Sequence, residues 1–312
     1  MSEFSIKDAA LTGFRFAREN PITIPVWAVV ILVSTFLSQW IVISMAGEAM
    51  GQMQAMQSDP ESADPTAVFG LMGQMMTAGL VALVPALIAT SLIFAAAIRG
   101  TLRPGSHGLG YLRLGADELR VMVVLLVVGV ILGIVYFVGS TIGGIIAVVM
   151  AMSAGAAPTP EAMSSSMIAV MFPVLVITGL IMLYIYGRFS LATPLTLDRK
   201  AINIFSSVAL TKGRGGRVYR TYLLAALLYL AVFFLGGAIF LGVAAAMTGD
   251  LADLQAFVMQ PDMTSLEAFL TPLRIVYMLI MSVIGALGAA IMLTPAATIY
   301  QALTEEGVDE VF

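Results

Sequence analysis

The chain has 312 residues, of which 60% are hydrophobic and 11% charged, and its net charge is −4. A water-soluble domain carries about 25% charged residues to keep its surface wet, so a soluble globule is excluded and the bilayer is the expected solvent for most of the chain. Cysteine is absent, which excludes disulfides, thiol nucleophiles and thiolate metal sites.

The first twenty residues, MSEFSIKDAALTGFRFAREN, lack the uninterrupted apolar core and small-residue cleavage site of a signal peptide. The first span is therefore expected to act as an uncleaved anchor. A span needs about 20 apolar residues, and six stretches qualify, at about 22–46, 77–98, 121–152, 167–186, 222–247 and 270–300. The third and sixth are longer than crossing requires, which predicts tilt, protrusion or a break. Gly139, Gly143 and Gly144 mark the expected soft point of the third. The fold class is all-α: one polytopic integral membrane bundle of about six helices.

Six spans divide the hydrophilic segments into two sets. Fourteen of the fifteen Lys and Arg lie in the amino terminus, residues 99–120, residues 187–220 and the carboxyl tail, and Arg274 alone falls in the other set. Basic loops stay inside, so both termini are expected in the cytoplasm. The opposite loops are acidic or neutral and rich in Met, Gln, Ser and Ala.

Each odd-numbered span is preceded by a segment with helical apolar spacing. Phe4, Leu11, Phe14 and Ala17 can share one face, residues 111–120 form a second such segment, and Ile202, Phe205, Val208 and Ala209 suit a buried stripe in a third. Such helices lie in the headgroup plane with basic stems reaching for phosphates. Ala-Leu-Thr-x-x-Arg occurs at Ala10–Arg15 and again at Ala209–Arg214. A unit of interfacial helix, span, span repeated three times from the same face is one reading of this pattern; chance similarity between basic amphipathic helices is the other.

Where the fourth span ends, the chain reads Tyr186-Gly187-Arg188-Phe189-Ser190-Leu191-Ala192-Thr193-Pro194, followed by Asp198 and then Ala209-Leu210-Thr211-Lys212-Gly213-Arg214. This resembles the membrane domain joined to some bacterial glycerophosphodiester phosphodiesterases, which also stands alone in other membrane proteins. The local likeness covers roughly residues 184–225, and it departs from the family pattern at Ile204-Phe205-Ser206-Ser207. The resemblance implies a fold and a membrane location. It does not imply the phosphodiesterase reaction, which belongs to a separate soluble barrel.

Catalytic chemistry is sparse. His107 is the single histidine, and there is no triad, Walker loop or dinucleotide fingerprint, so a non-enzymatic protein without a cofactor is expected. No span core carries the ionisable residues that ion-coupled carriers use. Arg274 sits about one turn inside the sixth span; it reads either as a contact for an outer anion or headgroup, or as an arginine snorkelling or pairing with Asp262 or Glu267. Met50, Met53 and Met56 recur every three residues; thioethers can bind Cu(I), and the competing reading is plain apolar packing. The densest basic cluster holds Lys212, Arg214, Arg217 and Arg220, spaced by glycines and near Arg188. It reads as a site for anionic lipid or as a turn that sets topology. Gly129 and Gly133, Gly139 and Gly143, and Gly236, Gly237, Gly285 and Gly288 suit close helix packing within the bundle or between protomers. The leading functional expectation is a scaffold or accessory protein engaging anionic lipids or a membrane partner, with homo-oligomers possible and no nucleic acid. The alternative is a transporter or channel-like passage for a small or amphiphilic solute.

Overall fold

In the computed structural model, residues 4–58, 65–103, 105, 108–153, 160–248 and 261–309 are described. Among them the elements are α1 (Ile6–Glu19), α2 (Thr23–Ser58), α3 (Pro65–Leu102), a 3₁₀ turn (Leu109–Tyr111), α4 (Ala116–Ser153), α5 (Pro160–Phe189), α6 (Ala192–Arg199), α7 (Ser206–Leu210), α8 (Gly215–Thr248), α9 (Leu266–Phe269) and α10 (Pro272–Asp309). No strand occurs among these residues, as expected where lipid cannot satisfy open backbone groups. Six helices are long and apolar enough to cross a membrane, with mean hydropathy between 2.2 and 3.1. They lie in α2, α3, α4, α5, α8 and α10, one for each expected span.

The helices outrun the expected spans. At 1.5 Å per residue, 34–38 residues give roughly 50–57 Å, well beyond the hydrocarbon thickness. The polar stretch after Ala46 and the stretch before Thr77 were expected in loops, yet both continue as helix, because backbone bonding propagates cheaply once a long helix exists. Of the alternatives expected for the third span, a break is absent: α4 runs without interruption from Ala116 to Ser153. A Cβ on Gly139 would collide with Thr178, and one on Gly143 would lie 3.0 Å from Met171 and Val174. These glycines therefore let α4 approach α5 closely rather than soften α4.

α2 pairs with α3, α4 with α5 and α8 with α10, and α10 also packs against α1, α2 and α3. Small residues make this central position possible. Ala96 and Ala97 of α3 meet Ala286, Ala290 and Leu293 of α10 around the fully buried Trp27.

α1 is helical, as expected, and begins at Ser5, whose side chain accepts from the Asp8 backbone N–H at 3.3 Å. Ala9, Ala10, Gly13 and Phe16 are buried, while Leu11 and Phe14 are exposed. The small-residue face docks on protein, and the bulky apolar side is left for lipid.

The expected interfacial helix at 111–120 does not form. Gly110 and Tyr111 both take left-handed conformations, with φ 63° and 60°, and α4 starts only at Ala116. Glycine tolerates that region and tyrosine does so at a cost of about 1–2 kcal/mol, which polar contacts offset. The Tyr111 carbonyl accepts from Arg99 at 2.7 Å, its hydroxyl donates to Asn20 at 2.7 Å, and the Gly110 carbonyl accepts from Trp27 Nε1 at 2.8 Å. The stripe expected before the fifth span is inverted. Ile204 and Ser207 face inward, whereas Ile202 and Phe205 are exposed, because the Ser207 hydroxyl donates to the Arg188 carbonyl at 2.7 Å. A threefold repeat of interfacial helix, span, span therefore fails at its second copy, although the three sequential helix pairs are present.

Candidate functional site

The charged residues gather at one end of the bundle. α1 meets the carboxyl-terminal half of α10 there, where the Thr12 and Thr298 hydroxyls lie 3.1 Å apart. The start and finish of the helical framework therefore share one side. At the same end, Asp198 of α6 accepts from the Tyr300 hydroxyl of α10 at 2.8 Å, and Arg120 pairs with Asp117 at 2.6 Å.

The expected lipid cluster divides into two kinds of residue. Arg188, in the last turn of α5, donates to the carbonyls of Thr211 at 2.7 Å and Val208 at 3.0 Å. A cation thus caps the carboxyl-terminal carbonyls of α7, which have no helical partners, so this guanidinium serves the fold. Lys212 and Arg220 are exposed, whereas Arg214 and Arg217 are partly buried and Arg217 stands 5.8 Å over the Phe4 ring. The turn between them uses Gly213 at φ 79°, a left-handed position that suits glycine.

Sequence reasoning missed a second polar centre at this end. Arg99, near the end of α3, forms a 2.5 Å ion pair with Glu118 in the first turn of α4. Their side chains are only 10% and 7% exposed. Arg99 looked like one more topology-setting charge, but its charge is spent inside the protein. The available signal was a carboxylate, Glu118, placed directly before an aliphatic run.

Among the described residues, apolar cavities lie between helices. One of 380 Å³ is bounded by Leu32, Phe36, Ile275 and Met278, and one of 430 Å³ by Ile134, Val138, Val174 and Ile177. The third, of 400 Å³, lies between α3 and the start of α4 and includes Ile88, Leu92, Glu118 and Met122. A polar cleft lined by Arg99, Arg103, Asp117 and Asp198 has only 30 Å³, about the volume of one water.

On the opposite side, Arg274 is buried, with its guanidinium 5.3 Å from the Phe269 ring and 5.4 Å from the Tyr277 ring. Aromatic faces stabilise a desolvated cation there. Its expected partner Asp262 accepts from the Thr264 hydroxyl at 2.6 Å and backbone N–H at 3.0 Å. Those bonds hold the Asp262 carboxyl below its ordinary pKa. Met50, Met53 and Met56 lie at successive turns in the last part of α2, each partly exposed. Among the described residues no group of three His, Cys, Asp or Glu could hold a metal ion. His107 lies outside the described residues, as do 59–64, 154–159 and 249–260 of the opposite loops.

These features define a multi-pass helical membrane protein with one charge-rich end. Comparison with family models, curated proteins and solved structures yields no match.

Proposed function

We propose that this is a non-enzymatic protein of the bacterial inner membrane, a scaffold or accessory protein that engages anionic lipid or a membrane partner at a cytoplasmic basic rim. The observation that carries this reading is the division within the cluster. Arg188 is committed to backbone carbonyls, while Lys212 and Arg220 remain exposed beside a glycine turn. The aliphatic lining of the cavities between the transmembrane helices favours a scaffold over a carrier, because carriers need polar groups along their path. Kinship with the membrane domain described above is part of the proposal, and rests on the run from Arg188 to Pro194 and the basic turn after it.

Each basic residue near an anionic surface contributes about 1 kcal/mol. Replacing both Lys212 and Arg220 with Gln should then weaken retention of phosphatidylglycerol by about thirtyfold, and the difference should shrink at high salt. Native mass spectrometry after extraction measures this, and unchanged retention would refute the role of the rim. Arg188→Gln serves as a contrast, since it should lower thermal stability at any salt concentration.

Orientation is tested separately, aided by the absence of native cysteine. Single cysteines at Ser153 and Lys212 are exposed to a membrane-impermeant maleimide in intact cells. Labelling is expected at position 153 and protection at 212; the reverse pattern inverts the topology.

A further inference from the structure

The 400 Å³ groove between α3 and α4 has a built polar mouth. Glu118 is buried, and its Oε1 is taken by Arg99. No hydrogen bond engages its Oε2 among the described residues; this oxygen would lie 3.5 Å from a Cβ placed on Gly115, which also lines the groove. Away from that mouth the walls are Ile88, Leu92 and Met122, with Leu114 85% exposed and Leu119 60% exposed at the rim. This carboxylate oxygen stays available as an acceptor at the mouth of an apolar slot, at the end of the protein where the charged residues gather.

We infer that this groove holds one phospholipid with a primary-ammonium headgroup, its ammonium donating to Glu118 Oε2 and an acyl chain lying against Ile88, Leu92 and Met122. The volume falls within the range of about 300–1,000 Å³ typical of ligand sites, and the polar-to-apolar order along the groove matches the order along a lipid. Arg99 fixes the carboxylate through Oε1 and leaves Oε2 as an acceptor. A –NH₃⁺ group offers three donors, and a charge-assisted bond to carboxylate is the strong kind. A choline headgroup has no N–H to offer. The site is separate from the Lys212 and Arg220 rim and uses the opposite charge preference, so the two proposals fail independently.

The test is lipid retention by the full chain extracted from nanodiscs of equal phosphatidylethanolamine and phosphatidylcholine. The wild type should retain phosphatidylethanolamine about tenfold over phosphatidylcholine. Ile88→Trp, which fills the slot without touching the ion pair, should abolish that preference, and Glu118→Asp, which withdraws the carboxylate, should reduce it. Leu11→Ala, on the exposed side of α1, should leave it intact. Equal retention of the two lipids by the wild type overturns the inference, as does a preference that survives Ile88→Trp or disappears in Leu11→Ala. If Ile88→Trp does not fold, Leu119→Trp fills the groove from its exposed wall and is judged by the same criterion. The wild-type comparison decides the matter even without either variant.

Discussion

Arg99→Met is expected to be among the most damaging single substitutions in this protein, lowering its stability by about 3–5 kcal/mol. Arg99 is 10% exposed in its side chain and makes two kinds of bond, one to the Glu118 carboxylate and one to the Tyr111 carbonyl. Its removal leaves a carboxylate buried without this countercharge and takes one donor from the Tyr111 carbonyl. It also releases the strained Tyr111, whose left-handed backbone is held from both ends. The partner substitution Glu118→Met should be nearly as harmful, since it strands a guanidinium. Combining the two should recover more than half of the loss, because a buried ion pair replaced on both sides by apolar groups is often close to neutral. Reversible unfolding in mixed micelles of the wild type, both single variants and the double variant gives the coupling directly. Additive losses in the double variant would mean that the pair contributes nothing as a pair.

Much of the fold was legible because the bilayer leaves few options. A run of apolar residues near 20 long must be helix, and each of the six expected stretches overlaps one of the six long helices among the described residues. What was not legible depended on tertiary contacts. The segment 111–120 has the composition of an amphipathic helix, but Gly110 and Tyr111 turn the chain the other way because Trp27, Asn20 and Arg99 supply partners distant in sequence. The face by which α1 docks on protein was not legible for a similar reason. Periodicity ranks Leu11 and Phe14 above Ala9, Ala10 and Gly13 as core, whereas a neighbouring membrane helix rewards close approach, so small residues face protein and large ones face lipid. The same inversion exposes Ile202 and Phe205. Within the candidate rim, charge showed which residues cluster but not which of them were already committed. Arg188 and Lys212 look alike in sequence, and only the carbonyls of Val208 and Thr211 distinguish them.

Gly13→Leu should detach α1 from the bundle while leaving the six long helices in place. A Cβ at this position would lie 2.6 Å from the Ala290 carbonyl oxygen and 2.7 Å from the Ile291 nitrogen, and would also meet the Ile291 Cα. These are backbone atoms of α10, which cannot rotate aside as a side chain can. α10 is itself pinned by α2, α3 and α8, so α1 is the element that moves. Its departure uncovers Ala9, Ala10 and Phe16, and separates Phe16 from the Trp27 ring 5.7 Å away. Loss of a buried phenylalanine contact is of order 3 kcal/mol. Arg15 and Arg18 then become sites for trypsin. Cleavage that depends on local opening tracks the population of the open state, rising tenfold for each 1.4 kcal/mol, about a hundredfold here. Leu11→Ala, on the exposed side of the same helix, is the control and should leave the cleavage rate within about threefold of the wild type. A Gly13→Leu protein cleaved no faster than Leu11→Ala would show that α1 is not seated on α10 by this contact.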